Sequence, residues 1–506
     1  MTTLDIARPP VTPAAPLRPD RRWWILAVLG IAQLMVVLDG TVVTIALPHA
    51  QASLGFSDGD RQWMVTAYSL AFGSLLLLGG RLADLFGRKR VFLIGVIGFA
   101  VASAVGGAAV NFGMLVTARA VQGAFGALLA PAALSLLMTT FTHPKERGKA
   151  FGIYGGIAGA GASVGLLLGG VLTEYLSWRW TMYVNVGFAI VAAIGGFVLL
   201  APQAAGIRAQ IDKLGTLLAC TSMFAIVYGF AHAATKSGSA GWTDGQTIGF
   251  LAVGFVLLVT FVVVERRARL PLLPLRVVTD RNRGGAYVAM FLASIGMFGV
   301  FLFVTYYLET TLGYSPIKTG LAFLPMTVAV IVVAGVANTV LMQRISPRIL
   351  IPGGLLVSAI GMALLTGIGL HSSYVSAILP SLMFMAVGLG LVFAPAMSIG
   401  TLGVAGSDAG VASATVNVAQ QIGGSIGTAL LNTIATGAAA AFISAHASAA
   451  PTPMLMAEAA VHSYSVAFGI CAAVFAGAAV VVAALLRSGV PDLSANEGME
   501  GLAVHA

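Results

Sequence analysis

Asp39 stands in the stretch LDGTVVTIALP, Leu38 to Pro48, inside an apolar run that extends from Trp23 and Trp24 to Leu47. A carboxyl group in hydrocarbon is costly, and one that is kept there pairs with a cation or handles a proton. Arg119, in LVTARAVQGAFGA from Leu115 to Ala127, is a second charge inside an apolar run. Asp39 lies about seven residues, roughly 10 Å, from the outer end of its run, and Arg119 about six residues from the same surface. On neighbouring helices the two would share one polar cluster. Burial favours the neutral acid and an adjacent cation favours the carboxylate, so a carboxyl group in such a setting can take up or release a proton as its surroundings change. Proton and cationic ligand would then compete for one site, which is the chemistry of exchange. The plain alternative is a static ion pair that fixes helix packing. Glu309, in YYLETTLGYSP, is a further acid, but it lies near a helix end, where solvation is the simpler account.

The elements that must position these groups are helices in lipid. A chain that is 58% hydrophobic and 9% charged is a polytopic membrane protein. Apolar runs long enough to span occur near 24–46, 63–79, 91–110, 114–138, 149–171 and 180–200, then 214–232 and 246–264, then 285–308, 318–341, 350–370, 375–397, 410–435 and 464–486. The order is six, two and six, fourteen spans in all. With the amino terminus inside, 22 of the 27 Lys and Arg fall in inside segments. Arg61, Arg179, Lys236 and Lys318 are left outside, and Arg119 lies within a span. A miscount of one helix would scatter this asymmetry, so it supports the count and places both termini in the cytoplasm. It also accounts for the net charge of +9 without nucleic acid. Cys220 and Cys471 both lie in apolar runs, which leaves neither a disulfide framework nor a metal cluster.

A repeat is visible at fixed offset. Gly148, Ala150, Gly161 and Gly165 recur 262 positions on as Gly410, Ala412, Gly423 and Gly427, and Arg90 and Gly95 recur 258 on as Arg348 and Gly353. Two homologous six-helix halves with a helix pair inserted between them follow from this. The expected division is a cytoplasmic arm 1–22, a bundle 23–201, the inserted pair with its linkers 202–276, a second bundle 277–487 and a tail 488–506. The inserted pair carries almost no polar residue in its spans and is expected to face lipid or a partner, away from the transport path.

The loop GGRLADLFGRKR, Gly79 to Arg90, resembles the cytoplasmic loop motif of the major facilitator superfamily. Arg119, Gln122 and Gly123 resemble that family's fourth-helix motif. LDGTVVTIALP, the inserted pair, ERRARLPLLPLR (Glu265 to Arg276), LGYSP (Leu312 to Pro316) and GVASATVNVAQQIGGSIG (Gly410 to Gly427) are similar to its fourteen-helix drug:proton antiporter branch. The resemblance covers 24–486. It implies an all-α major facilitator fold of two six-helix bundles plus two inserted helices, with conformational gating by Gly80, Asp84, Gly87, Arg88 and Lys89. It also implies proton coupling at Asp39 and Arg119, with Glu309, where relatives often carry Gln, as a second candidate acid, and an exchange-linked glycine series at Gly161, Gly165, Gly169 and Gly170 in the fifth helix. Two positions depart from the pattern: Leu166 follows Gly165, and Gly187 stands in YVNVGFA, where many relatives have proline. The glycines share one face and equally fit a helix-packing seam.

For a substrate the sequence offers Gln33, Met297, Phe298, Phe301, Tyr307, Asn417 and Gln421, apolar and aromatic area with a few polar fixtures that suits amphipathic molecules. Core packing accounts for most of these equally well. No Walker loop or catalytic triad occurs, so the chain is not an enzyme and has no cofactor; the proton gradient is its expected energy source. The expected function is proton-coupled efflux of hydrophobic or cationic drugs across the cytoplasmic membrane by a monomer, with lipid as its surroundings. The alternatives are a dedicated exporter of an endogenous metabolite, a uniporter or symporter of the same fold, and a non-transporting sensor or scaffold.

Overall fold

Hydrocarbon offers a backbone no water to bond, so every spanning segment satisfies its own amides by becoming helical. The computed structural model describes residues 19–56, 63–201, 212–235, 240–268, 271–446 and 452–490. Among these it forms fourteen helices of 19 residues or more and no strand. They are α1 (Pro19–Leu54), α2 (Trp63–Phe86), α3 (Arg88–Gly107), α4 (Phe112–Thr140), α5 (Pro144–Tyr175), α6 (Trp180–Leu199), α7 (Lys213–Thr235) and α8 (Gly245–Glu265). They continue with α9 (Arg281–Tyr306), α10 (Pro316–Val336), α11 (Pro347–Leu365), α12 (Leu379–Gly400), α13 (Ala409–His446) and α14 (Pro453–Leu485). Thirteen are apolar enough along their described residues to cross a membrane. The remaining one, α5, is 32 residues long, about 48 Å at the helical rise.

Several helices overrun the apolar limits read from the sequence, because capping ends a helix whereas hydropathy ends only its span. Helix α1 starts at Pro19, inside the expected arm, whose residues 1–18 lie outside the described residues, as do most of the linker (202–211) and of the tail (491–506). Helix α14 starts where Thr452 Oγ1 accepts from the Leu455 amide with Pro453 in the first turn. His446 and His462 are both helical, and both rings pack on Phe442.

The sequence repeat reappears in the packing. Helix α1 packs on α4, α5 and α6, and α9 on α12, α13 and α14; α3 packs on α4 and α6, and α11 on α12 and α14. Across the two sets, α5 packs on α10 and α12 while α13 packs on α2 and α4. The glycines at repeat offset make the same close approach twice. A Cβ on Gly148 would lie 2.7 Å from the Asn338 carbonyl oxygen, and one on Gly410 would overlap that of Gly80. In α5, Gly161, Gly165 and Gly169 face Val37, Thr41 and Val42 of α1, and Gly170 faces Ile317 at the start of α10. Helix α5 runs unbroken through Leu166, so these glycines form a packing seam.

Both inserted helices expose apolar side chains, Leu217 and Phe224 on α7 and Phe255 and Val256 on α8, but α7 also has an inward face. Helix α7 packs on α2 and α13 together. Ala219 joins Leu77, Val411 and Ala414 in one buried cluster, Trp63 meets Tyr228, and Trp242 Nε1 donates to Thr433 Oγ1 at 2.8 Å. The apolar composition that suggested lipid contact serves here to bury α7 against both halves.

Candidate functional site

Asp39 and Arg119 are 0% and 1% exposed, and the packing of five helices decides what surrounds them. Arg119 Nη1 lies 2.5 Å from Asp39 Oδ2. The other carboxylate oxygen, Oδ1, accepts from Gln122 Nε2 at 2.7 Å and from Asn185 Nδ2 at 2.8 Å. Arg119 and Gln122 are three residues apart on α4 and so share a face, which lets Gln122 Oε1 accept from Arg119 Nη1 at 2.7 Å. Arg119 Nε donates to the Met64 carbonyl at 3.1 Å, and the guanidinium lies 4.5 Å from the centre of the Tyr68 ring. Ser103 Oγ accepts from Gln122 and Asn185 and donates to the Met182 carbonyl.

Gly123 is what brings Tyr68 into range: a Cβ there would overlap the Tyr68 carbonyl oxygen, so only glycine lets α4 approach α2 this closely. The three donors on Asp39 and the acceptors on Arg119 are the compensation that a buried charge pair requires. Two buried atoms of the cluster lack a partner, Tyr68 Oη and Asn185 Oδ1.

The two charges share one polar cluster on neighbouring helices; it lies wholly within the first six helices, and its carboxylate is closed to solvent. Tyr68, Ser103 and Asn185 were missed, since a lone Tyr, Ser or Asn in an apolar run carries no signal until a charge is known to face it. Glu309 is not part of the cluster. It is half-buried in a π-helical turn, Tyr307–Thr311, that ends α9 in the second half.

At the basic end, where Arg81, Arg88, Lys89 and Arg90 lie, the loop residues divide their work. Asp84 accepts from the Gly410 amide at 2.9 and 3.1 Å and from the Val411 amide at 3.3 Å, the first free N–H groups of α13. Arg88 pairs with Asp84 and donates to the Gly406 carbonyl. Gly80 lies against Gly410, and Gly87 has φ 91°, a turn open to glycine. Lys89 does not cross between halves; it donates to the Leu200 and Phe197 carbonyls at the end of α6. A second crossing was not foreseen: buried Arg147 of α5 donates to the Ser398 carbonyl at 3.3 Å and to Thr401 Oγ1 at 3.1 Å at the end of α12. Its place one residue before the repeat glycine Gly148 was the available clue.

Most of the candidate substrate residues are engaged by neighbours in this conformation. Gln33 accepts from Tyr154 Oη at 2.8 Å, and Asn417 Nδ2 donates to the Ser413 carbonyl of its own helix. Tyr307 is buried and donates to the Gly369 carbonyl at 2.6 Å, and Phe301 packs on Phe323. Met297 packs against the core. Gln421 faces Gly73 between α13 and α2, and Phe298, 44% exposed, covers Gly424. An open apolar cavity of about 500 Å³ between α3 and α4, lined by Val101, Val105, Met114, Val121 and Phe125, contains none of them.

The family model for the Major Facilitator Superfamily matches residues 29–428. This chain belongs to the Major Facilitator Superfamily. Over 487 residues it is 49% identical to a puromycin resistance protein of Streptomyces alboniger, covering 96% of this chain and 95% of that protein. It is 37% identical over 429 residues to a tetracenomycin C resistance and export protein of Streptomyces glaucescens, covering 84% and 77%. It is 32% identical over 425 residues to a multidrug efflux pump of Mycolicibacterium smegmatis, covering 84% and 83%. The crystal structure of a human organic anion transporter superposes with a TM-score of 0.60 at 14% identity, covering 92% of this chain and all of that one, and shares the fold. The chain is a multi-pass membrane transporter and not an enzyme.

Proposed function

We propose that this transporter exports amphipathic, chiefly cationic, toxic compounds from the cytoplasm in exchange for protons, with Asp39 as the acid that carries the exchange. The observation that carries this reading is the carboxylate of Asp39, fully buried and held by Arg119, Gln122 and Asn185. A group so enclosed changes its charge only when its partners or its hydration change, and that ties proton binding to conformation. The basic end is read as cytoplasmic. The contacts of Asp84, Arg88 and Arg147 between halves then belong to the state closed toward the cytoplasm, and breaking them opens the inward path. Relatives named for puromycin resistance, tetracenomycin C export and multidrug efflux support export as the direction of transport.

Proteoliposomes holding the purified protein test this reading. An imposed pH gradient should drive accumulation of a fluorescent cationic dye against its own gradient, and collapsing the pH gradient should abolish it. Dye movement that follows only the dye's gradient, unaffected by pH, would make the protein a uniporter. A second reading, a dedicated exporter of one compound, rests on the 49% identity over nearly the full length to a protein named for a single antibiotic. A panel of structurally unrelated toxic compounds tested on an efflux-deficient host separates narrow from broad selectivity.

A further inference from the structure

Two amides face the Asp39 carboxylate, and they are not equivalent. Gln122 is fixed in orientation from both ends: its Nε2 donates to Asp39 Oδ1 and its Oε1 accepts from Arg119 Nη1. Turning it over would set N–H against N–H and strand the guanidinium. Asn185 is fixed from one end only. Its Nδ2 donates to Asp39 Oδ1 and to Ser103 Oγ, while its Oδ1, in a residue with no exposed surface, has no partner. A buried carbonyl oxygen without a donor costs about as much as a lost hydrogen bond.

The two charge states of Asp39 make opposite demands. The carboxylate is an acceptor only and is fully served by the three N–H groups that now face it. The protonated acid carries an O–H that needs an acceptor. Arg119 supplies none, and the oxygen of Gln122 is engaged. We propose that Asn185 is the positioning residue that adapts the site to both states, donating through Nδ2 to the carboxylate and turning its amide over so that Oδ1 accepts from the protonated acid. The proton comes from hydronium in the water admitted on the open side: one O–H bond of that ion breaks, leaving water, and the O–H on Asp39 Oδ1 forms. Ser103 allows the turn, because its hydroxyl can rotate from the Met182 carbonyl toward the Asn185 oxygen that then faces it. The charged or titratable groups that face Asp39 are Arg119 from α4 and Tyr68 from α2; from α3 and α6 the site receives the neutral Ser103 and Asn185.

This inference rests on the reading of Asp39 as the coupling acid, and its test keeps the two apart. Asn185→Leu keeps the volume and removes both donor and acceptor. Asn185→Leu removes a charge-assisted bond from the carboxylate and a weaker neutral bond from the protonated acid, so the difference favours the protonated acid and the pH midpoint of substrate-induced proton release, measured on purified protein in detergent, should move up, by about one unit or less. A residue that merely fills space would change the turnover at every pH and leave the midpoint in place, and an unmoved midpoint in folded Asn185→Leu overturns the proposal. Asp39→Asn is run alongside: release that persists there removes the underlying reading, whereas release lost there with an unmoved midpoint in Asn185→Leu removes only the role of Asn185. Should Asn185→Leu not fold, the infrared difference spectrum of the wild-type protein between acid and alkaline pH decides. A side-chain amide band that changes together with the Asp39 carboxyl band, and is identified by isotope labelling of asparagine, supports the turn; a carboxyl band that changes alone overturns it.

Discussion

Gly80 of α2 and Gly410 of α13 meet backbone to backbone, and a Cβ on either would overlap the carbonyl oxygen of the other. That approach is what puts the amides of Gly410 and Val411 within reach of the Asp84 carboxylate one turn along α2. Gly80→Ala should therefore hold the two halves apart at the basic end. Overpacking of this kind costs about 1–3 kcal/mol, enough to shift a two-state equilibrium by about tenfold or more toward the other conformer. The check is disulfide trapping between cysteines placed on α2 and α13: yield of the closed form should fall by about that factor while the thermal stability of the protein stays close to wild type.

Asp84→Asn should slow turnover and leave equilibrium drug binding intact, since the side chain touches α13 and Arg88 and no cavity residue. Asparagine keeps one acceptor oxygen and loses the charge that complements the helix amino terminus. A drop in transport rate of about tenfold with an unchanged dissociation constant is the expected pair of results; lost binding in folded protein would contradict the gating role.

Arg147 makes the second crossing at the same end, with a buried guanidinium against the carboxyl end of α12. Arg147→Met keeps the length and removes the donors to Ser398 and Thr401. The cytoplasm-closed state should lose population, read as greater labelling of cysteines on the inward path, and an unchanged labelling pattern would show that the arginine serves folding alone. Arg147→Lys should restore most of the wild-type pattern, because it retains a cation able to reach one carbonyl.

The helices and their order were legible because each span had to satisfy its own backbone, and the Lys and Arg asymmetry fixed their number. The Asp39 and Arg119 pairing was also legible: two charges at one depth in apolar runs leave few other arrangements. Asn185, Ser103 and Tyr68 were hidden because an uncharged polar residue costs little in a helix and is recognised only through what it touches. Which residues meet a substrate was not legible for a related reason. Tyr307, Gln33 and Asn417 have the right chemistry for binding, but Tyr307 Oη, Gln33 Oε1 and Asn417 Nδ2 bond to a neighbouring backbone or side chain, an engagement that residue type alone does not reveal. The inward face of α7 was not legible, since an apolar helix surface does not distinguish lipid from the groove between α2 and α13 that α7 occupies.

Arg119→Ala should impair coupling by leaving Asp39 buried without its cation. The acid would then remain protonated over a wider pH range, so dye export in proteoliposomes should fail at neutral pH and recover in part as the pH is raised. Removing one partner of a buried pair also destabilises by about 3–5 kcal/mol, and a lowered thermal unfolding midpoint should accompany the defect.

The central claim is that Asp39 releases the proton that is exchanged for substrate, and substrate-induced proton release from folded, monodisperse Asp39→Asn protein in lightly buffered detergent tests it most directly. The substitution nearly preserves side-chain volume while removing the titrating group. Addition of a cationic substrate should release a proton from the wild-type protein and none from Asp39→Asn, with substrate binding to the variant confirmed separately. An undiminished proton signal from the variant would contradict the claim and transfer the coupling role to another acid, with Glu309 the next to be replaced.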